Sequence, residues 1–318
     1  MLAQVRTGQV VVVGSANEDQ VLTVDELPAP GATVLARSSA VTPGGKGANQ
    51  AVAAARGGAG TRFVAMLGED DRGARLHAAL ADAGVDTRWV GRHPDAPTGT
   101  AVVTVAASGE NAIVVAPGAN AECGGDAVEA ALADATPAHV VVVQCEIPAP
   151  TVRRAIEAAG RRGAFPILNL APFVPLPGGV PRATGLLIVN ESEARAALGE
   201  APGSGGLAAD GLAPALAGAF GCAVVVTLGA RGARCRTRDG RLETVPAHPA
   251  SPVDTTGAGD AFVGFLAAAL ARGAGLVEAA RTGAVAAALS VERPGAQASF
   301  PTLDRVAHVL ATTAAGPG

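Results

Sequence analysis

Short, wholly apolar runs rich in β-branched residues alternate along the chain with Ala-rich stretches whose apolar positions recur at helical spacing. The runs at 10–13, 63–67, 140–143, 167–168, 186–189 and 224–227 predict strands, and the stretches at 48–56, 72–83 and 152–159 predict helices. A strand that is apolar on successive residues is buried on both faces, as a parallel sheet covered by helices on both sides requires. The pattern therefore predicts an α/β fold: a mostly parallel, doubly wound sheet with helices on both faces. Two segments, 20–39 and 98–115, break the rhythm. The second, "TGTAVVTVAASGENAIVVA", reads as two strands joined by a Ser-Gly-Glu-Asn turn. Together they predict a small antiparallel β lid, from about 17–40 and 98–116, on a single domain spanning 1–318. "GEAPGSGGLAADG" at 199–211 reads as a loop, and there is no internal repeat.

Polar residues stand just beyond the predicted strands: Asn17 and Asp19 after the first, then Glu146, Asn169, Asn190, Glu193 and Thr227. Ligands of open parallel sheets bind beyond the carboxyl ends of the strands, so these side chains are expected to converge on one crevice. Taken singly, each also reads as a turn residue or a helix cap.

Composition narrows the classes. The net charge is −4 with scattered basic residues, one Trp and no Tyr, which leaves neither an electrostatic footprint nor stacking platforms for nucleic acid. No apolar run reaches the length of a membrane span, and the one near residue 10 is shorter than a signal-peptide core. Cys123, Cys145, Cys222 and Cys235 form no C-x-x-C pair and have no histidine at metal spacing, so reduced thiols in a cytoplasm are expected, without structural zinc. All but one of the 24 basic residues are arginine. The exception, Lys46, lies inside "PGGKGAN", which suggests a site that accepts only an ammonium; chance survival is the alternative.

"VDTTGAGDAF", residues 253–262, sets Asp254 and Asp260 on either side of a glycine turn that opens an apolar helix. At a helix start the backbone N–H groups lack intrahelical partners and carry the positive end of the dipole, so Gly257, Ala258 and Gly259 can cradle an anion. Small residues there let the main chain itself touch phosphoryl oxygens. Asp260, in the first turn, is expected to be ionised and kept so by the helix end, a weak base suited to taking an alcohol proton late in phosphoryl transfer. The competing reading is a capped helix, with Thr255 or Thr256 as N-cap and Asp260 as dipole complement. "TPGGKGANQAVAAARGGAG" opens a second helix on a glycine-rich turn, yet neither segment is a P-loop and no G-x-G-x-x-G follows the first strand, which disfavours a NAD-linked oxidoreductase. Asn190 and Glu193, three apart on an expected helix, face one direction and could hold hydrated Mg²⁺ or triphosphate, or be a cap and a solvated acid.

These residues resemble a known family. "PGGKGANQAVAAARGGAGTRFVAMLGEDDRG" is similar to the first signature of the PfkB-type carbohydrate kinases, also called the ribokinase family, and "VDTTGAGDAFVGFLAAAL" to the second. "GSANED", "APTGTAV", "GEN", "GAN", "QCEIP", "ILNLAP", "NESEA", "TLGARG" and "GAQAS" follow in the family's order, and "GGKGANQA" is similar to the ribokinase branch. The resemblance implies ATP-dependent phosphorylation of D-ribose on its 5-hydroxyl. It makes Asp260 the base and Gly257, Ala258 and Gly259 the anion hole. Asn17, Asp19, Gly44, Gly45, Lys46, Asn49 and Glu146 would hold the sugar. Asn190, Glu193, Thr227, Leu228, Gly229, Ala230, Arg231 and Gly232 would face the nucleotide and its Mg²⁺, with Gly259 and Asp260 reaching the same phosphates. Asp254 and Thr256, with oxygens from Ser290, Arg293, Gly295 and Ser299, would bind an activating K⁺ that preorganises the loop. "VERPGAQAS" departs from the family's usual pattern at Glu292, Pro294 and Ala298. A homodimer joined through the lid is implied by analogy. Kinases of deoxyribose, another pentose or a nucleoside, and a non-catalytic sugar or nucleotide sensor, are the alternatives; the presence of Asp260 with both glycine motifs argues against the sensor.

Overall fold

The computed structural model describes residues 8–200 and 206–314. In chain order the strands are β1 (Val10–Val13), β2 (Asn17–Val24), β3 (Ser38–Gly44), β4 (Thr61–Gly68), β5 (Asp86–His93), β6 (Gly99–Ala106), β7 (Asn111–Ala116), β8 (Val140–Val143), β9 (Phe165–Asn169), β10 (Leu186–Asn190), β11 (Ala223–Thr227), β12 (Ala233–Arg236) and β13 (Leu242–Val245). The helices are α1 (Lys46–Arg56), α2 (Asp71–Asp82), α3 (Gly125–Ala131), α4 (Ala149–Arg161), α5 (Glu191–Ala197), α6 (Ala209–Phe220), α7 (Ala258–Ala271), α8 (Leu276–Ser290) and α9 (Leu303–Ala314).

Nine strands form the main sheet in the order β13-β12-β11-β10-β9-β8-β1-β4-β5. From β11 to β5 every neighbour pair is parallel, and β12 and β13 add an antiparallel edge. The four valines of β1 show why the expected fold class holds. All are fully buried, Val10 and Val12 in the core on one face and Val11 and Val13 in the core on the other. Successive strand residues point to opposite faces, so only a sheet covered on both sides can bury such a run.

α7 is apolar almost all round because it is an interior helix, packed against α1 and α8 on the sheet. Gly264 makes the closest approach possible. A Cβ there would run into the Ala53 methyl and lie 2.7 Å from the Gln50 carbonyl oxygen. That contact sits one helical turn below Asp260, and it brings the start of α1 against the start of α7.

A second sheet, in the order β3-β2-β6-β7, takes up the segments expected to form the small antiparallel lid. β2–β3 and β6–β7 are antiparallel, but the central pair β2–β6 is parallel over eight residues. The chain between them passes through α1, β4, α2 and β5, so their pairing is a long crossover whose direction no local turn encodes. Residues 25–37 are not strand, and the loop expected at 199–211 ends before α6; its residues 201–205 lie outside the described residues.

Candidate active site

Where β1 ends, Gly14 and Ser15 pack on the start of α1, the Ala48 N–H donating to the Ser15 carbonyl at 2.8 Å. The glycines before α1 serve that packing: a Cβ on Gly44 would overlap the Asp19 carboxylate, and one on Gly45 (φ 85°) would lie 2.7 Å from the Asn17 backbone nitrogen. The smallness of Gly45 is thus explained by main chain pressed on main chain and that of Gly44 by the Asp19 side chain against it, a different reason from the sugar contact implied for them. Glu146, just past β8, holds the start of α1. Its Oε2 accepts from Ser15 Oγ at 2.6 Å and from the Lys46 backbone N–H at 3.0 Å. Asn17 is fixed by Asn120, whose Nδ2 donates to Asn17 Oδ1 at 2.7 Å. Asp19 stands apart: its Oδ1 is buried without any hydrogen-bond partner among the described residues. Burial, with the nearby charges of Glu146 and Asp260, pushes its carboxyl up to about 7.

Asp260 is buried, and this changes the expectation about its charge. Its two oxygens are held by consecutive α1 side chains, Asn49 Nδ2 to Oδ2 and Gln50 Nε2 to Oδ1, both at 2.9 Å. Burial raises its pKa; Lys46 and the two amide donors oppose the rise without cancelling it. The helix end alone therefore does not set its ionisation. Lys46 is drawn upward despite its own burial by Asp260, Glu146 and Glu193. Burial above all, with repulsion among the neighbouring acids added to it, makes Asp19, Asp260 and Glu193 hold protons more tightly than free carboxyls.

The capped-helix reading of "TTGAGD" is not what the fold adopts. The N-cap of α7 is Gly257 in the left-handed region (φ 76°), with no side-chain cap. Its Cβ would meet the Ala296 methyl at 2.8 Å, so glycine is needed there for conformation and for packing. The Ala258 N–H is already engaged by the Thr255 carbonyl at 3.2 Å. Among the described residues, the Gly257 and Gly259 N–H groups have no protein acceptor. A Cβ on Gly259 would project into open space. Gly259→Ala is therefore expected to leave Tm within about 2 °C, since alanine is a better helix former than glycine, while lowering turnover at least about tenfold by filling the space over the free amides. A thermal melt beside a rate assay checks both; unchanged turnover would remove those amides from the chemistry.

Asp254 lies outside this pocket and joins two loops. Its Oδ1 accepts from the Thr256 N–H at 2.9 Å and its Oδ2 from the Gly295 N–H at 2.7 Å. Burial would raise its carboxyl, but these hydrogen bonds hold it below the usual range. Ser290 and Ser299 give their hydroxyl protons to the Ala287 and Ala296 carbonyls at 2.8 Å each, leaving their oxygens as acceptors. Arg293 follows on the same loop, its N–H on the Ser290 carbonyl at 3.3 Å. The side chains of Asp254, Ser290 and Ser299 would offer a bound ion oxygens only, the chemistry that suits a hard monovalent cation.

At the other end, β10 and β11 run side by side with Asn190 opposite Thr227. Asn190 is not on a helix. It ends β10 and caps α5 in a reciprocal capping box, Glu193 N–H to Asn190 Oδ1 and Asn190 N–H to Glu193 Oε2, both at 2.8 Å. The cap reading of this pair is correct, yet one Glu193 oxygen remains free near Lys46 and Asp260. After Thr227, Leu228 leads into a 3₁₀ turn of Gly229, Ala230 and Arg231, where Arg231 is exposed and pairs with Glu191. Gly232 (φ 83°) is required by contact with the β13 backbone. Because β11, β10, β9, β8 and β1 are successive neighbours, the polar residues from Thr227 to Asn17 stand in a row along one edge of the sheet. Gln50 touches both Asn169, at the end of β9, and Asp260, which places the carboxylate between the two ends.

The model of the pfkB family carbohydrate kinases matches residues 7–303. The chain belongs to that family. It is similar to the ribokinase of Haemophilus influenzae, 35% identical over 303 residues that cover 94% of this chain and 97% of the relative. The ribokinase of Bacillus subtilis is 38% identical over 301 residues, covering 95% and 99%. The Arabidopsis thaliana ribokinase complexed with ribose and ATP superposes with a TM-score of 0.83 at 32% identity, covering 96% of this chain and 99% of that one. In this member of the pfkB family, sequence reasoning passed over Gln50, Gln144 and Gln297, all within 9% of full burial around Asp260. The signal was available, since each lies inside a motif of the resemblance: "GGKGANQA", "QCEIP" and "GAQAS".

Proposed function

We propose that the chain phosphorylates D-ribose on its 5-hydroxyl with ATP, giving ribose 5-phosphate and ADP. The observation that carries this is the position of Asp260, between a hydroxyl-binding end with an orphaned buried acceptor and a helix start with free amides. Asp19, Asn17 and the free oxygen of Glu146 take sugar hydroxyls; an unpartnered buried carboxylate oxygen is costly until a donor reaches it. The 5-hydroxyl lies on Asp260 and gives it its proton as the O5–P bond forms and the bond from the γ-phosphorus to the ADP oxygen breaks. The amides of Gly257 and Gly259, with Lys46, oppose the charge on the transferring group. The relatives named ribokinase support ribose as the acceptor.

The nucleotide lies along residues 227–232 and beside Glu193. Asn190 and the free Glu193 oxygen would hold a hydrated Mg²⁺, which when bound would neutralise charge on the triphosphate. K⁺ fits the oxygens around Asp254, where it would brace the loop carrying Gly257. Measuring ADP release with pentoses, hexoses and nucleosides, in K⁺ and in Na⁺, tests both points. Ribose is expected to be turned over fastest and more rapidly in K⁺. Preference for deoxyribose or a nucleoside would replace the acceptor, binding without turnover would make the chain a sensor, and equal rates in both salts would remove the K⁺ site.

The lid supplies a dimer contact. β7 is an exposed edge strand carrying Ile113, Val114 and Val115, 56%, 70% and 45% exposed, with Val41 also open on the same sheet. Such a surface favours pairing with a second copy. Sedimentation is expected to show a dimer that Val114→Glu dissociates; a monomeric parent chain would end this reading. The four cysteines are free and buried, which supports a reducing, cytoplasmic setting. No helix among the described residues is long and apolar enough to cross a membrane.

A further inference from the structure

We propose that Gln50 is the positioning residue of the Asp260 carboxylate: its side-chain amide, oriented by Gln144 and Asn169, clamps Oδ1 so that Oδ2 alone is offered to the substrate hydroxyl, with Asn49 yielding that oxygen. This rests on reading Asp260 as the base.

The two donors to Asp260 differ in how firmly they are held. Gln50 is wholly buried and uses its amide fully: Oε1 accepts from Gln144 Nε2 at 2.6 Å, and Nε2 donates to Asp260 Oδ1 and to Asn169 Oδ1, each at 2.9 Å. Asn169 is anchored in turn, its Nδ2 on the Ile188 carbonyl at 3.1 Å. Asn49 has a single polariser, Gln297 Nε2 at 3.0 Å on its Oδ1. It also stands among the residues that line the sugar end. Of the two oxygens, Oδ2 is the one a hydroxyl can take over.

The relay has a direction. An ionised carboxylate only accepts, so Gln50 must turn its NH₂ toward Asp260, which obliges Gln144 to turn its own NH₂ toward Gln50. The cost appears at the far end, where Gln144 Oε1 is buried with no partner among the described residues. An orphaned acceptor at the tail of a chain of donors is what a network organised around an anion leaves behind. The other charges facing Asp260 are Lys46 on α1, Glu146 beyond β8, Asp19 on β2 and Glu193 on α5. Gln50 therefore works with Lys46 to keep the carboxylate ionised against burial and three acids.

The test is the pH profile of kcat in Gln50→Leu and Gln144→Met, with Asp260→Asn alongside. Removing the clamp is expected to move the acid limb of Gln50→Leu to higher pH by about one unit, with kcat largely recovered at alkaline pH and ribose KM changed less than about threefold. Gln144→Met, which keeps the volume and deletes the orphan, is expected to move the limb the same way by a smaller amount, so a Gln50 variant that fails to fold does not protect the idea. A uniform loss of kcat at every pH, or an acid limb unmoved in Gln144→Met, would overturn it. Should Asp260→Asn keep its turnover, the base reading itself falls; should it be inactive while the limb stays put, only the clamp does.

Discussion

Asp260→Asn is expected to lose about 10²–10⁴-fold in kcat, the range a positioned proton acceptor contributes, while ribose affinity falls less than about tenfold, one hydrogen bond's worth. The substitution keeps the shape of the side chain but presents an NH₂ to one of two amide donors that now flank it at 2.9 Å. Either Asn49 or Gln50 must then turn. In the parent enzyme, activity is expected to fall with decreasing pH from a point above the ordinary carboxylate range, because burial raises the Asp260 pKa more than Lys46 and the amides lower it. Calorimetric ribose titration beside coupled ADP release separates the two effects. Equal loss of binding and turnover would make Asp260 a sugar ligand only.

The second large effect couples stability to binding. Asp19→Asn is expected to stabilise the free enzyme at pH 8 and yet weaken ribose binding by about 10–100-fold, the cost of losing hydrogen bonds to a charged acceptor. The sign follows from the folded carboxyl being raised from 3.8 to about 7. A native state that holds its proton more tightly than the unfolded chain loses stability as pH climbs between those values, by at most about 4 kcal/mol and less after relaxation and solvent screening. Asparagine carries no charge to bury, so the variant gains at pH 8 and is unchanged near pH 4. Thermal melts at both pH values check this. A destabilised variant at pH 8 would mean that Asp19 is already paired in solution.

Legibility along this chain depended on how local each feature's cause is. The β1, β8 and β11 valine runs are apolar at every position, and only burial on both faces satisfies that pattern, so the parallel sheet could be read directly. The edge strands β5 and β13, and β12 beside β13, were not legible because they are partly exposed and mix charged or polar with apolar residues. Gly257 was legible as a helix-opening glycine, but whether the helix was capped by a threonine or by nothing depended on φ at that residue. Asn190 and Glu193 show the converse case, in which a spacing that suited a ligand pair also suited a capping box, and the fold uses it for the cap.

Alternation of apolar runs and the two glycine motifs determined the fold class, the family resemblance and the residues gathered at the strand ends, because these follow from short-range periodicity and from which side chains can sit at a helix start. Tertiary structure alone decided the parallel β2–β6 pair, the orphaned Asp19 oxygen and the amide clamp on Asp260. Each of these joins residues far apart in the chain, with Gln50 and Asp260 separated by 210 positions. Hydrogen-bond direction and desolvation depend on which distant groups meet, and in this protein the packing of α1 on α7, close at Gly264, brings them together.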